Sequence, residues 1–160
     1  MSIEKKIGNT TYKVPVNGEN RWGERMTSII VALIDVVNKL IGPYDILTRE
    51  AILTNGVTNP QIVNGFRFDT SVVQNIRADG VIVREFTEIS AKSPTQDTFV
   101  LEAATYKGNA EYSVRFTGSD TKVKLILENN GQVYYTSENV QDTESLFIKF
   151  YAKAIAEDQV

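Results

Sequence analysis

From Asp45 onward the apolar residues recur at every second position, and that period constrains the fold more than any other feature. Runs of this kind occupy 46–53, 62–68, 72–76, 81–89, 99–106, 111–116, 123–127, 133–136 and 146–154, separated by Gly, Asn, Asp and Pro. Tyr112, Val114 and Phe116 share one face while Ser113 and Arg115 take the other, and Val123, Leu125 and Leu127 repeat the pattern. Asn129-Asn130-Gly131 ahead of Val133 is a hairpin turn signal, since Asn and Gly tolerate positive φ. Eight or so short strands with turns every 8 to 12 residues predict a mainly β chain, an antiparallel β-sandwich of jelly-roll-like size. The last run is apolar on both alternations, which suits a central strand or, as its rival, a C-terminal helix.

Ahead of this region lies one segment of a different period. Residues 24–41 hold no Gly or Pro and stop at Gly42-Pro43, as a helix does. At helical spacing, their apolar residues fill an arc of roughly 200°, about twice what one partner surface needs. The spacing therefore predicts an oligomerisation helix whose interface is Met26, Ile29, Ile30, Leu33, Val36, Val37 and Leu40, the partner being a second copy of the chain. The alternative is a helix packed wholly on its own sheet, where β-branched Ile and Val would fit as well. Residues 1–23 are polar and carry Gly8, Pro15, Gly18 and Gly23, with only Tyr12, Val14 and Val16 alternating. The predicted organisation is an extended attachment arm over 1–23, the helix over 24–43 and the sandwich over 44–160.

Composition narrows the chemistry. With no Cys and no His among 160 residues, disulfides, thiolate nucleophiles, imidazole bases and Cys/His metal sites are excluded. The carboxylates Asp69, Asp79, Glu85, Glu88, Asp97 and Asp120 could supply a glycosidase pair, but they read as turn and surface groups, since Asp69, Asp79 and Asp120 sit at strand ends or beside Gly. No run resembles a calcium loop, so no catalytic residue, metal or other cofactor is assigned and the chain is read as no enzyme. Six of the seven Tyr fall in or beside strand-like runs and are expected mainly in the core, with Tyr134 and Tyr135 on opposite faces. Trp22 reads as a packing staple. A net charge of −3 gives no footprint for nucleic acid, and Lys5-Lys6 is too short for a basic patch. The longest apolar run, residues 29–34, is far short of the roughly 20 residues that span a bilayer, so no membrane insertion is expected. No secretory signal is readable at the N-terminus, which makes Asn9-Thr10-Thr11 a poor glycosylation site and points to assembly in a cytoplasm.

The stretch Tyr12-Lys13-Val14-Pro15-Val16-Asn17-Gly18-Glu19-Asn20-Arg21-Trp22-Gly23, followed by the apolar helix, resembles small structural proteins of tailed bacteriophages. The likeness continues through Gly42-Pro43-Tyr44-Asp45-Ile46-Leu47, Val63-Asn64-Gly65-Phe66-Arg67-Phe68-Asp69-Thr70 and Val81-Ile82-Val83-Arg84 to Gly131-Gln132-Val133-Tyr134-Tyr135-Thr136-Ser137. The resemblance, to head fibre, head decoration and tail fibre components, implies a virion protein that forms a homotrimer. Its attachment segment would use Tyr12, Val14, Pro15, Val16 and Trp22 against the phage capsid or other virion proteins. The alternative it leaves open is a tail-fibre or receptor-binding tip whose loops, around Ser93-Pro94-Thr95-Gln96 or Gly118-Ser119-Asp120-Thr121, contact a host surface glycan.

Overall fold

The computed structural model describes residues 2–7, 10–15 and 21–156; the side chains of 2, 3, 6, 7, 10, 12–15, 21–25, 38 and 39 lie outside the description. The chain forms two compact units, Met1–Asp45 and Ile46–Val160.

In the first unit, β1 (Ser2–Ile7) pairs antiparallel with β2 (Thr10–Pro15), setting Ile3 opposite Val14 and Lys5 opposite Tyr12. A lone extended segment leaves its amides and carbonyls unpaired; pairing two such segments satisfies them, so the stretch expected as an extended arm is in part a strand ribbon. Helix α1 (Arg21–Leu40) begins three residues before Glu24. Gly23, read from sequence as a breaker, is tolerated in the first turn because a helical glycine costs only about 1 kcal/mol. The ribbon packs on the helix, and Lys5 Nζ lies 3.2 Å from Asp35 Oδ1. Beyond the helix, the Gly42 amide donates to Asp45 Oδ2 at 2.8 Å, closing the turn around Pro43.

The second unit is an antiparallel β-sandwich. Its strands are β3 (Ile46–Ile52), β4 (Gln61–Arg67), β5 (Val73–Phe86), β6 (Thr95–Tyr106), β7 (Asn109–Gly118), β8 (Val123–Leu127), β9 (Gln132–Ser137) and β10 (Thr143–Ala156). Five strands form one sheet in the order β3-β10-β5-β6-β7, and three form the other in the order β4-β9-β8. The β3/β10 and β4/β9 pairs fall in different sheets, as a wrapped ribbon's do in a jelly roll, while β5, β6 and β7 make a plain meander. The final run is a strand with neighbours on both sides, as its double apolar alternation requires. The core lies between the sheets: Phe66 of β4 stacks on Phe150 of β10 at a centroid distance of 4.1 Å and 12° between planes, with Val63, Ile82, Leu101, Val133 and Ile148 buried around them.

Two sequence expectations change here. Runs 72–76 and 81–89, which the sequence reads as two strands, fall largely within the single 14-residue strand β5, which takes in 73–76 and 81–86 and leaves 87–89 to the following turn. Gly80 does not turn the chain; a Cβ placed there would meet the Lys149 carbonyl at 2.3 Å and the Phe99 ring at 2.6 Å, so the glycine is needed for close approach. The tyrosines are mostly not core. Among the described side chains Tyr135 is the one buried tyrosine, whereas Tyr106, Tyr112 and Tyr151 are exposed. Tyr106 and Tyr151 sit on the outward parity of the large sheet, opposite to buried Thr105 and Phe150. Tyr112 and Phe116 face the inner side of β7, at an edge strand of the larger sheet, and the narrower three-stranded sheet leaves them exposed.

Candidate functional site

Two surfaces stand out, one in each unit. On α1, Met26, Ile29, Ile30, Leu33, Val36 and Leu40 are exposed and Val37 is half-buried. Thr27 and Ile34 are buried on the neighbouring flank of the helix. At 100° per residue the exposed apolar set covers an arc of about 120°, separate from the arc that holds Thr27, Val31, Ile34 and Ile41. The roughly 200° arc read from the sequence is thus divided into a covered stripe and an open one. The expected attachment residues Tyr12, Val14, Pro15 and Trp22 have their backbones in β2 and α1, but their side chains, and Val16 altogether, lie outside the described residues.

The second surface is the sandwich end reached by the C-terminal ends of β3, β5, β7 and β9. Its centre is Arg84, 1% exposed. The guanidinium Nε and Nη2 donate to the Thr121 carbonyl at 3.0 and 2.9 Å, Nη1 to Asn55 Oδ1 at 2.6 Å and Thr143 Oγ1 at 2.8 Å, and Nη2 also to the Glu138 carbonyl at 3.5 Å. All of these acceptors are neutral. Burial pushes the guanidinium below its ordinary pKa, and the Glu138 charge pulls it partly back. With every N–H in use, Arg84 has nothing to offer a ligand; its work is to join loops 53–60, 119–122 and 138–142.

Neighbouring bonds extend the joint. Asp97, also buried, accepts from the Asp120 amide at 3.0 Å and from the Thr121 amide and hydroxyl at 2.5 and 2.7 Å. Gln96 and Ser119 exchange bonds in both directions: Ser119 N–H to the Gln96 carbonyl at 2.9 Å, and Gln96 N–H to Ser119 Oγ at 2.8 Å. Lys92 reaches the Gln141 carbonyl at 2.9 Å and Asp142 at 3.6 Å. The two loop segments singled out in the sequence are therefore adjacent on one tied surface. Ile89, 99% exposed, lies in the same loop as Lys92. The chain enters this unit at Ile46, which pairs with Ala152, while Ile52 pairs with Phe147 near the loop end; entry and loop surface are at opposite ends of the sandwich.

Sequence reasoning missed Arg84. Its signal was parity: Ile82 and Arg84 share a face of β5, so an inward Ile implies an inward Arg. The remaining carboxylates each have a local partner or stand in water. Asp69 accepts from the Ser71 amide and hydroxyl, which holds its pKa below the ordinary 3.8, and Lys122 does the same for Asp120. Asp79 pairs with Arg77, Glu85 accepts from Ser145 Oγ, and Glu88 is exposed in the turn after β5. Asp79 lies inside β5 rather than at a strand end. Among the described residues no group of three or more Asp or Glu is placed to hold a metal ion, and no helix is long and apolar enough to cross a membrane.

No family model and no curated protein matches the chain. Among solved structures, the crystal structure of the Acinetobacter phage vB_ApiP_P1 tailspike protein is similar at 9% identity, over 68% of this chain and 21% of that chain, with a TM-score of 0.39. The chain thus spans about a fifth of that tailspike's length. A likeness this distant carries no argument about activity or partners.

Proposed function

We propose that this is a non-enzymatic structural protein of a phage virion, a head decoration or short head-fibre protein. It associates through α1 as a homotrimer, attaches to the capsid through its N-terminal segment and displays the sandwich. The observation that carries the self-association is the open apolar stripe on α1. Fully burying one Leu, Ile, Val or Met side chain contributes about 1.5–3 kcal/mol, so covering six that are 37 to 75% exposed contributes on the order of 5 kcal/mol per copy. The virion assignment is supported by the sequence likeness of residues 12–23 and the stretches that follow to phage structural proteins.

Leu33→Asp tests the helix. Leu33 is 59% exposed in the single chain, so the variant should fold unchanged, while an unpaired carboxylate in a helix interface should abolish association. A variant that keeps the parent's native mass refutes the assembly role. The copy number in purified virions, measured by quantitative mass spectrometry against the shell subunit, tests the location: a ratio near that of the shell supports head decoration. A handful of copies supports the second reading, a tail-fibre or receptor tip contacting a host glycan. That reading is favoured by the adjacency of the loops at 93–96 and 118–121, at the end of the sandwich away from chain entry.

A further inference from the structure

The dipeptide Asn-Gly occurs four times in the chain, at 17–18, 55–56, 64–65 and 130–131. The step is chemically labile, because a glycine nitrogen, unshielded by any side chain, can attack the carboxamide carbon of the asparagine before it. Both groups must be free for this. A carboxamide fixed by hydrogen bonds cannot turn toward the backbone, and an amide that already donates elsewhere is closed to base. The side chains at 17–18 lie outside the described residues, and the structure separates the other three steps sharply.

Asn55 is fully engaged. Its Oδ1 accepts from Arg84 Nη1 at 2.6 Å and the Val140 amide at 3.0 Å, and its Nδ2 donates to Asn139 Oδ1 and the Val140 carbonyl, each at 3.0 Å. At the third step, Asn130 Oδ1 accepts from the Gln132 amide at 2.9 Å, while the attacking group, the Gly131 amide, donates to the Glu128 carbonyl at 2.9 Å.

Asn64 differs from both. It and Gly65 are exposed, and its side chain has no hydrogen-bond partner among the described residues. The ladder with β9 breaks off at Ile62, opposite Tyr134, and resumes at Arg67, opposite Gln132, so residues 63–66 bulge out against Val133 alone. Within the bulge Gly65 takes a φ of +77°, and a Cβ there would meet Arg49 Nη1 at 3.0 Å. The glycine that makes Asn64 labile is thus one the bulge requires. Only the base of the bulge is pinned: Gln132 Nε2 donates to the Val63 and Phe66 carbonyls, each at 3.2 Å, and both of those residues are fully buried.

We infer that Asn64 is a site of spontaneous deamidation in the folded protein. The Gly65 nitrogen gives up its proton to base and attacks Asn64 Cγ; the new N–C bond forms as the Cγ–Nδ2 bond breaks, and the amide leaves as ammonia. Water then opens the cyclic imide at either carbonyl, leaving aspartate or isoaspartate at position 64. Each event adds a negative charge next to the glycine that Arg49 overlies, and Arg49 has no acceptor among the described residues. The isoaspartate form also lengthens the backbone between buried Val63 and Phe66.

Full-length protein kept in warm, mildly alkaline buffer and mapped by tryptic peptide mass spectrometry tests this. Cleavage yields peptides 50–67 and 125–149, and fragment ions distinguish Asn55 from Asn64 within the first. In the folded protein Asn64 should convert about ten-fold or more faster than Asn55 or Asn130, whose reaction waits on local opening. In urea, where those hydrogen bonds are gone, the three rates should converge. Asn64→Gln, a change at an exposed side chain, should remove the dominant conversion from peptide 50–67 while leaving the fold intact. Equal rates at the three steps in the folded protein, or a faster one at Asn55 or Asn130, overturn the inference. So does a folded-state rate at Asn64 far below its rate in urea, because the bulge would then protect the step rather than expose it.

Discussion

Replacing Arg84 by Ala should unfold the loop end of the sandwich before the rest of it and lower the stability of the whole unit. The Thr121 carbonyl, which accepts two of the guanidinium bonds, would be left as a buried acceptor without a partner, at about 1–3 kcal/mol. Asn55 Oδ1 keeps the Val140 amide and Thr143 Oγ1 keeps the Val140 carbonyl, so these two lose less. Removing the buried stem takes away about 2 kcal/mol of packing at roughly 0.8 kcal/mol per methylene. Relief from burying an unpaired cation offsets part of this. The net is about 2–4 kcal/mol, or a fall in Tm of about 10 °C at about 4 °C per kcal/mol for a unit of this size. Thermal and urea unfolding measure the global loss, and hydrogen exchange should show amides of loops 119–122 and 138–142 losing protection first. Arg77→Ala is the control: Arg77 pairs with Asp79 and Glu102 on the exposed outer face, where such pairs contribute about 0–1 kcal/mol. Equal effects at Arg84 and Arg77, or a fall below about 2 °C for Arg84→Ala, would refute the view that one buried cation holds the loops together.

Other outcomes follow from single positions. Gly80→Ala should destabilise the sandwich by about 3 kcal/mol or more, because its Cβ would strike the Lys149 carbonyl and the Phe99 ring; Gly108→Ala, with open space around it but a φ of +77°, should show only the smaller strain of the left-handed conformation, and thermal unfolding of the pair checks this. The Asp69 and Asp120 carboxyls should titrate below 3.8 by NMR. Because their folded pKa values are depressed, whatever stability they add is present above pH 3.8 and disappears as pH falls through the lowered folded values; a midpoint at or above 3.8 for Asp69, or one in Asp69 that Ser71→Ala leaves unmoved, contradicts the hydrogen-bond cause.

Period alone determined much of this molecule. Alternation placed eight strands' worth of inward residues, the double alternation of 146–154 marked a strand with two neighbours, and the apolar arc of 24–41, too broad for one partner, anticipated both stripes of the helix. These are local properties: a strand's side chains alternate and a helix's repeat every 3.6 residues whatever surrounds them. Tertiary structure decided the rest. Gly80 resembles a turn residue in sequence, and only the neighbouring Lys149 carbonyl and Phe99 ring show that it permits close packing inside one long strand. Tyr112 and Phe116 carry the pattern of a buried face, yet they are exposed because the opposing sheet has three strands where theirs has five. Arg84 reads as an ordinary surface charge until groups as many as 59 residues away from it along the chain converge on it, since no spacing along the chain reveals which carbonyls a buried cation will find.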